Sequence, residues 1–329
     1  MRARLTRWIP SLLSYALLLA VLAWSATVFR HDLGQLSMAT LARSWDVVAA
    51  SALLSLVGYA FRILRWRFYL RRLGHVVSRT AATWIYTAGF AYALSPGKVG
   101  EMVRARYCLP MGIPLKDVTA AFVAERLMDL LAMIVLAGGL ILSSGRYATL
   151  ATASAGVALA GLAVLVLVPW PKVQGKLQAR VQQACTTRLH LPTLLRKALV
   201  GLAATLASTR PLLRSGMLAA GFTAALLAWS MEGLGLNVLG SMFPEIHLSV
   251  AGTVGIYATA MIVGAVSFLP GGLGTTEAVM AALLVSAGYP APDAFLMTLL
   301  CRLVTLWLAM ALGWAALAVL RYHPPTVEA

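Results

Sequence analysis

Phe268-Leu-Pro-Gly-Gly-Leu-Gly-Thr-Thr-Glu277 decides how the rest of the chain is read, together with its echo Leu94-Ser-Pro-Gly-Lys-Val-Gly-Glu101. Each is a Pro-Gly break between two apolar segments, with a carboxylate just beyond it. Pro removes a helix donor and Gly takes backbone angles that other residues avoid, so a helix must stop there. A short helix can restart after the glycines, with its free N–H groups facing whatever lies at the break. Inside a bilayer such a break survives only if it is buried in protein or lines a polar cavity. The two breaks are therefore the expected functional centre. They contribute Ser95, Pro96, Gly97, Lys98, Gly100 and Glu101 from the first, and Pro270, Gly271, Gly272, Gly274, Thr275, Thr276 and Glu277 from the second.

The segments around the breaks set the class. The 329 residues are 60% hydrophobic and only 12% charged, with a mean hydropathy of +0.82. Length alone would permit two soluble domains, but this composition fits an all-α, multi-pass membrane protein. The formal charge of +16 does not imply nucleic acid as a partner. The basic residues gather at the ends of apolar runs: Arg2, Arg4 and Arg7, then Arg62 through Arg79, then Lys172 through Arg214. That placement is expected of cytoplasmic loops. Cys108, Cys185 and Cys301 are far apart, which argues against a zinc site or a disulfide framework.

Taken in order, a basic start and an apolar run from Ile9 to Phe29 predict an uncleaved first span with the N-terminus inside. Asp32 to Ser44 is a short outer loop. A second span runs from Val47 to Leu64 and ends in the arginine cluster. The arms Thr80–Leu94 and Val99–Leu109 are each short of the ~20 residues a spanning helix needs, so they predict a re-entrant hairpin. Asp117 is the expected N-cap of a span over Val118–Leu142. A further span over Tyr147–Val168 leads to a basic connector over 172–212, expected on the inner membrane surface, with Val173, Leu177 and Val181 at helical spacing. Ser215–Leu239 crosses outward, Leu248–Leu269 and Gly274–Ala287 form a second hairpin, and Asp293–Leu320 is the last span.

The chain also repeats itself. Glu101 and Glu277, Gly112 and Gly288, Pro114 and Pro290, Asp117 and Asp293, and Arg126 and Arg302 are each 176 residues apart. Each half reads as span, hairpin, span. Positive-inside counting gives the halves opposite orientation, an inverted-topology repeat of the kind secondary transporters use. The expected architecture is thus one integral membrane domain over 1–329, with about six full spans and two re-entrant hairpins. Its parts are 1–43 (first span and loop), 44–142 (repeat one, hairpin 80–110), 143–211 (span and connector), 212–321 (repeat two, hairpin 248–287) and a tail over 322–329. Both termini are expected in the cytoplasm, and the protein in the cell (inner) membrane.

Cations at this depth are costly unless paired or solvated, and so mark a site. Lys98, Arg104, Arg126 and Arg302 join the partial positive charge of two half-helix N-termini. Arg126 and Arg302 lie about nine residues into their spans, ~14 Å deep. The expected guest is a membrane lipid with an anionic headgroup. Glu101, Glu277, Glu125 and Asp129 either neutralise the arginines or contact a cationic part of the headgroup. Glu125 and Asp129 share a helix face. Glu232 is a lone carboxylate that could face the same cavity or pair with an arginine. Thr275 and Thr276 are candidate caps of the second half-helix. The five histidines fall in predicted loops or at membrane edges. With no metal-ligand spacing, no GxSxG and no phosphate loop, no cofactor is expected and an enzyme is disfavoured.

Three motifs, Ser95-Pro-Gly-Lys-Val-Gly-Glu101, Glu125-Arg126 followed by Asp129, and Leu269-Pro-Gly-Gly-Leu-Gly-Thr-Thr-Glu277, resemble the flippase-like membrane domain of lysylphosphatidylglycerol synthetases. The resemblance covers roughly residues 10 to 320. In two-domain members of that family a soluble aminoacyltransferase domain loads lysine onto phosphatidylglycerol, and the membrane domain is thought to move that lipid to the outer leaflet. The domain also occurs alone. This chain ends at Ala329 without a soluble domain, so the resemblance implies no lipid-lysylating activity of its own. The expected function is translocation of an anionic phospholipid or lipid-linked phosphate, whether aminoacylated, glycosylated or neither. The alternatives are a membrane-embedded lipid-phosphate transferase, or an accessory subunit working with a lipid-modifying enzyme.

Overall fold

The computed structural model describes residues 44–143, 208–267 and 269–323, together with Gly175, Lys176, Ala179, Gln183 and Thr205. The expected first span, the span over 147–168 and most of the basic connector lie outside the described residues.

Among the described residues every regular element is helical. α1 (Trp45–Arg72) leads to α2 (Arg79–Phe90), whose first turn is capped by the Ser78 side chain accepting from the Ala81 N–H. The chain turns through 91–95, continues as a 3₁₀ run over Pro96–Val103, and makes the five-residue α3 (Arg104–Cys108). Gly112, at φ 77°, supplies the left-handed turn before α4 (Leu115–Ser143). The second set is α5 (Ser215–Gly240), α6 (Val250–Val266), a short 3₁₀ turn at Pro270–Gly272 and α7 (Thr275–Ser286). It closes with α8 (Ala291–Arg302), a π-helical turn at Leu303–Trp307 and α9 (Leu308–Tyr322).

Among the described residues, three helical stretches are long and apolar enough to cross a membrane: Trp45–Arg72, Gly216–Gly240 and Ala291–Tyr322. α4 is also long, at 29 residues, and carries Glu125, Arg126 and Asp129 in its body.

Packing follows a crossed pattern. α1 lies against α5, α4 against α6, and α9 against α2. The helix after the first break thus packs on the helix before the second, and the reverse holds for α9 and α2. Two apolar cores result among the described residues. One joins α1, α2 and α3 to the first turns of α4 and to Ala309, Ala316 and Leu320 of α9. The other joins α5 to α8 with Met128, Leu131, Ala132 and Met133 of α4.

Four expectations are corrected here. α1 does not end at Leu64; it runs two further turns, to Arg72, and carries Arg62 and Arg65 into the interior rather than into a loop. Carboxylates on α4 and α5 receive them, which removes the cost that makes a loop the default place for arginine. The segment Val99–Leu109 is not one short α-helix, because its first half is 3₁₀. Asp117 is not the cap of α4. That helix starts at Leu115, straight after Pro114, and Asp117 in its first turn lies 2.8 Å from His75 Nε2. The last span is not a uniform α-helix, since the π turn follows directly on Arg302.

Candidate functional site

The two Pro-Gly breaks meet. A Cβ added to Gly271 would lie 2.5 Å from Leu94 Cδ2, so the second tip is in van der Waals contact with the entrance to the first. Gly271, Gly272 and Gly274 have φ of 61°, 66° and 84°. These are left-handed angles that side chains resist, which accounts for three glycines in four positions. Gly272 has a second reason, because its Cβ would meet Thr276 Oγ1 at 2.6 Å. At the first tip Ser95 Oγ accepts from the Gly100 N–H at 2.7 Å and donates to Tyr92 O at 2.8 Å. Lys98 is the non-glycine residue with positive φ among the described residues, at 57°.

A charge network surrounds the tips. Arg104, nearly inaccessible at 1%, bonds Glu101 at 2.5 Å and Glu125 at 2.9 Å, with its guanidinium 3.9 Å from the Tyr86 ring centroid. Arg126 reaches Glu101 at 3.5 Å and Asp129 at 3.2 Å. Arg65 closes the chain on the other Asp129 oxygen at 2.8 Å. Arg62 pairs with Glu232 at 2.7 Å and lies 4.3 Å from the Trp229 ring centroid, and Tyr257 donates its hydroxyl to the second Glu232 oxygen. At the second tip Arg302 bonds Glu277 at 2.6 Å and the Gly271 carbonyl at 2.9 Å. Two pairs share one spacing: Glu101–Arg126 and Glu277–Arg302 are each 25 residues apart, and each joins a break to the helix that follows it.

Two adjoining cavities lie inside this network. A polar one of about 50 Å³ is lined by Arg62, Tyr86, Lys98, Glu101, Arg126 and Arg302 among others. A larger one of about 200 Å³ is mostly apolar, with Leu130 and Met133 of α4 facing Gly264 and Ala265 of α6. Ala93, Lys98, Arg126, Asp129, Trp229 and Met261 line both.

The structure therefore brings Lys98, Glu101, Arg126, Asp129 and Arg302 to one cavity, with Ser95, Gly271, Gly272 and Thr276 beside it. Arg104 and Glu125 do not line either cavity; they pair with each other behind it. Glu277 lies at the Arg302 end, outside the lining.

The half-helix N-termini need correcting. After the first break the chain is 3₁₀ for eight residues and α-helical for only five. At the second, the Glu277 carboxylate accepts from the Gly274 N–H at 2.7 Å and so caps its own helix. Thr275 and Thr276 do not cap it. Thr275 Oγ1 donates to Gly272 O, and Gly274 holds the capping position. Formal charge, rather than free helix ends, makes the site positive.

Sequence reasoning missed Arg62, Arg65, Trp229, Tyr257 and Tyr86 as parts of this centre. A signal existed for the arginines. Ser51, Ser55, Gly58, Arg62, Arg65 and Tyr69 recur at spacings of three and four and are all buried. In a membrane helix the polar stripe is the one that faces protein.

Comparison with known proteins agrees with the class. A family model described as the lysylphosphatidylglycerol synthase TM region matches residues 11–313. A UPF0104 membrane protein from Methanothermobacter thermautotrophicus is 28% identical over 316 residues, which cover 92% of this chain and 90% of that protein.

Proposed function

This chain belongs to the lysylphosphatidylglycerol synthase TM-region family, and from that premise we propose that it translocates a lipid with an anionic headgroup between membrane leaflets. The observation that carries the reading is the junction of the two cavities. Cations from both halves line a polar chamber that continues into an apolar one, as an amphiphile requires. The two breaks act as re-entrant tips, and the crossed packing of α4 on α6 and α9 on α2 supports halves related by an inverted two-fold. Rocking of one half against the other opens the shared chamber to each leaflet in turn. No covalent step is needed.

Arg126 is the best residue to test. Its side chain is 25% exposed and lines both cavities, and removing it leaves Glu101 paired with Arg104 and Asp129 paired with Arg65. Glu277→Ala would instead uncap α7 and leave Arg302 buried and unpaired. In proteoliposomes, wild type should move a fluorescent anionic phospholipid across the bilayer. Arg126→Ala should lower the rate by roughly tenfold or more, the scale of one charge-assisted bond to phosphate, with an unchanged size-exclusion profile. Equal rates would sink the site assignment. Conversion of the lipid into a new chemical species would favour a transferase.

A further inference from the structure

From the charges and donors around the chamber we infer that the headgroup is a compact, singly negative phosphodiester, a refinement that rests on the lipid reading above. The cluster carries Arg62, Arg65, Lys98, Arg104, Arg126 and Arg302 against Glu101, Glu125, Asp129, Glu232 and Glu277. That is six cations for five carboxylates, an excess of one. Every arginine has a carboxylate within 4 Å. Lys98 has none among the described residues; its Nζ lies 5.5 Å from the Trp229 ring centroid, facing both cavities. The surplus charge therefore sits at the junction of the two.

Hydrogen bonding points the same way. The Trp229 indole N–H and the Tyr86 hydroxyl are buried without a partner among the described residues, and both residues line the polar chamber, 3% and 0% exposed. The acid that lines both cavities, Asp129, has each oxygen already engaged by an arginine. What the junction lacks is one negative charge beside Lys98, with acceptor oxygens for the Trp229 and Tyr86 donors. Buried donors left unmet are costly, so a guest that brings anionic phosphate oxygens to them is favoured. Size matters too: about 50 Å³, against roughly 10–15 Å³ for one water, takes the phosphate itself, and the rest of the lipid extends into the adjoining cavity. The apolar cavity beside Lys98 then takes the start of a hydrocarbon chain, which makes the source of the phosphate a lipid.

A phosphomonoester or pyrophosphate, with more than one negative charge, would exceed the single surplus cation of the cluster, and a zwitterion would bring an unmatched cation. The test is native mass spectrometry of the full chain purified from nanodiscs holding equal phosphatidylglycerol, phosphatidylcholine and phosphatidic acid. Wild type should retain phosphatidylglycerol over the other two by roughly tenfold, the worth of one charge-assisted bond. Lys98→Gln should bring the three to within about twofold while Lys98→Arg keeps the order. Trp229→Phe, which keeps the ring and deletes the N–H, should lose part of the preference. Preference for phosphatidic acid, no preference, or an unaltered preference in Lys98→Gln would each overturn the inference. So would equal competition by chainless glycerophosphoglycerol, which would detach the site from lipid. Parallel transport assays separate the two readings. Selective binding without transport removes the translocase and leaves this inference, whereas transport of all three lipids alike removes this inference and leaves the translocase.

Discussion

Single residues show how close the helices come where they cross. Gly139 on α4 and Gly313 on α9 occupy the crossing points. An added Cβ would lie 2.6 Å from the Ala251 carbonyl in the first case and 2.2 Å from the Ala91 nitrogen in the second. Both obstacles are backbone, which cannot step aside as a side chain can. Small residues at such crossings allow dispersion contacts that replace the missing hydrophobic drive between membrane helices. Gly138, one position away, has no described atom within 4 Å of the same added Cβ. Gly139→Ala should therefore destabilise by about 1–3 kcal/mol, the usual cost of overpacking. Gly138→Ala should be neutral or stabilising by up to about 1 kcal/mol, because Ala is the better helix former. Thermal denaturation of the detergent-solubilised variants checks the contrast, and equal shifts at the two sites would contradict this crossing geometry.

Among the elements, the π turn at Leu303–Trp307 stands out because it follows directly on Arg302 and shifts the register of α9 relative to α8. Such a turn frees a carbonyl from the helical ladder, and π turns gather at functional sites. Here Tyr59 of α1 takes up the slack, donating its hydroxyl to Thr305 O and lying 3.4 Å from Val304 O. Tyr59→Phe leaves those carbonyls buried without that donor, at about 1–3 kcal/mol. Deuterium exchange should quicken over 303–309 and stay unchanged in α6; no local change would mean that the turn holds itself. Neither the turn nor its clasp was legible in the sequence, because the apolar run 293–320 has no Pro, and its one interior glycine, Gly313, lies beyond the turn. By contrast α5, α6 and α7 fall within a few residues of their expected bounds, since Pro270, Gly271, Gly272 and Gly274 punctuate long apolar runs. The breaks and the Arg126 and Arg302 sites were legible for the same reason: charge and Pro-Gly are conspicuous in an apolar background. Arg62 and Arg65 were not, because a run of arginines after an apolar span reads as a loop unless the spacing of Ser51, Ser55 and Gly58 is followed through it. Their partners, Glu232 and Asp129, are far off in sequence, so only the fold could pair them.

For the molecule as a whole, the question is whether the interlocked halves move, and the contact between the tips allows a direct answer. Alternating access needs the chamber to open on one side while it closes on the other, so a contact that seals it must break once per cycle. Leu94 against Gly271 joins the two breaks, and a Cβ at 271 would lie 3.6 Å from the Leu94 Cα, close enough for a disulfide after a small adjustment. In a background with Cys108, Cys185 and Cys301 replaced, Leu94→Cys with Gly271→Cys should cross-link on oxidation. Lipid transport should then fall to the protein-free level and return when the bond is reduced. The reduced form is the control for strain at 271, where φ of 61° disfavours any side chain. Lipid retention by the oxidised form should persist, because Lys98 and Arg126 stay where they are and only the exit is sealed. Full transport in the cross-linked protein would mean that the tips never part. The chamber would then be a fixed lipid site, and the two halves a rigid frame around it.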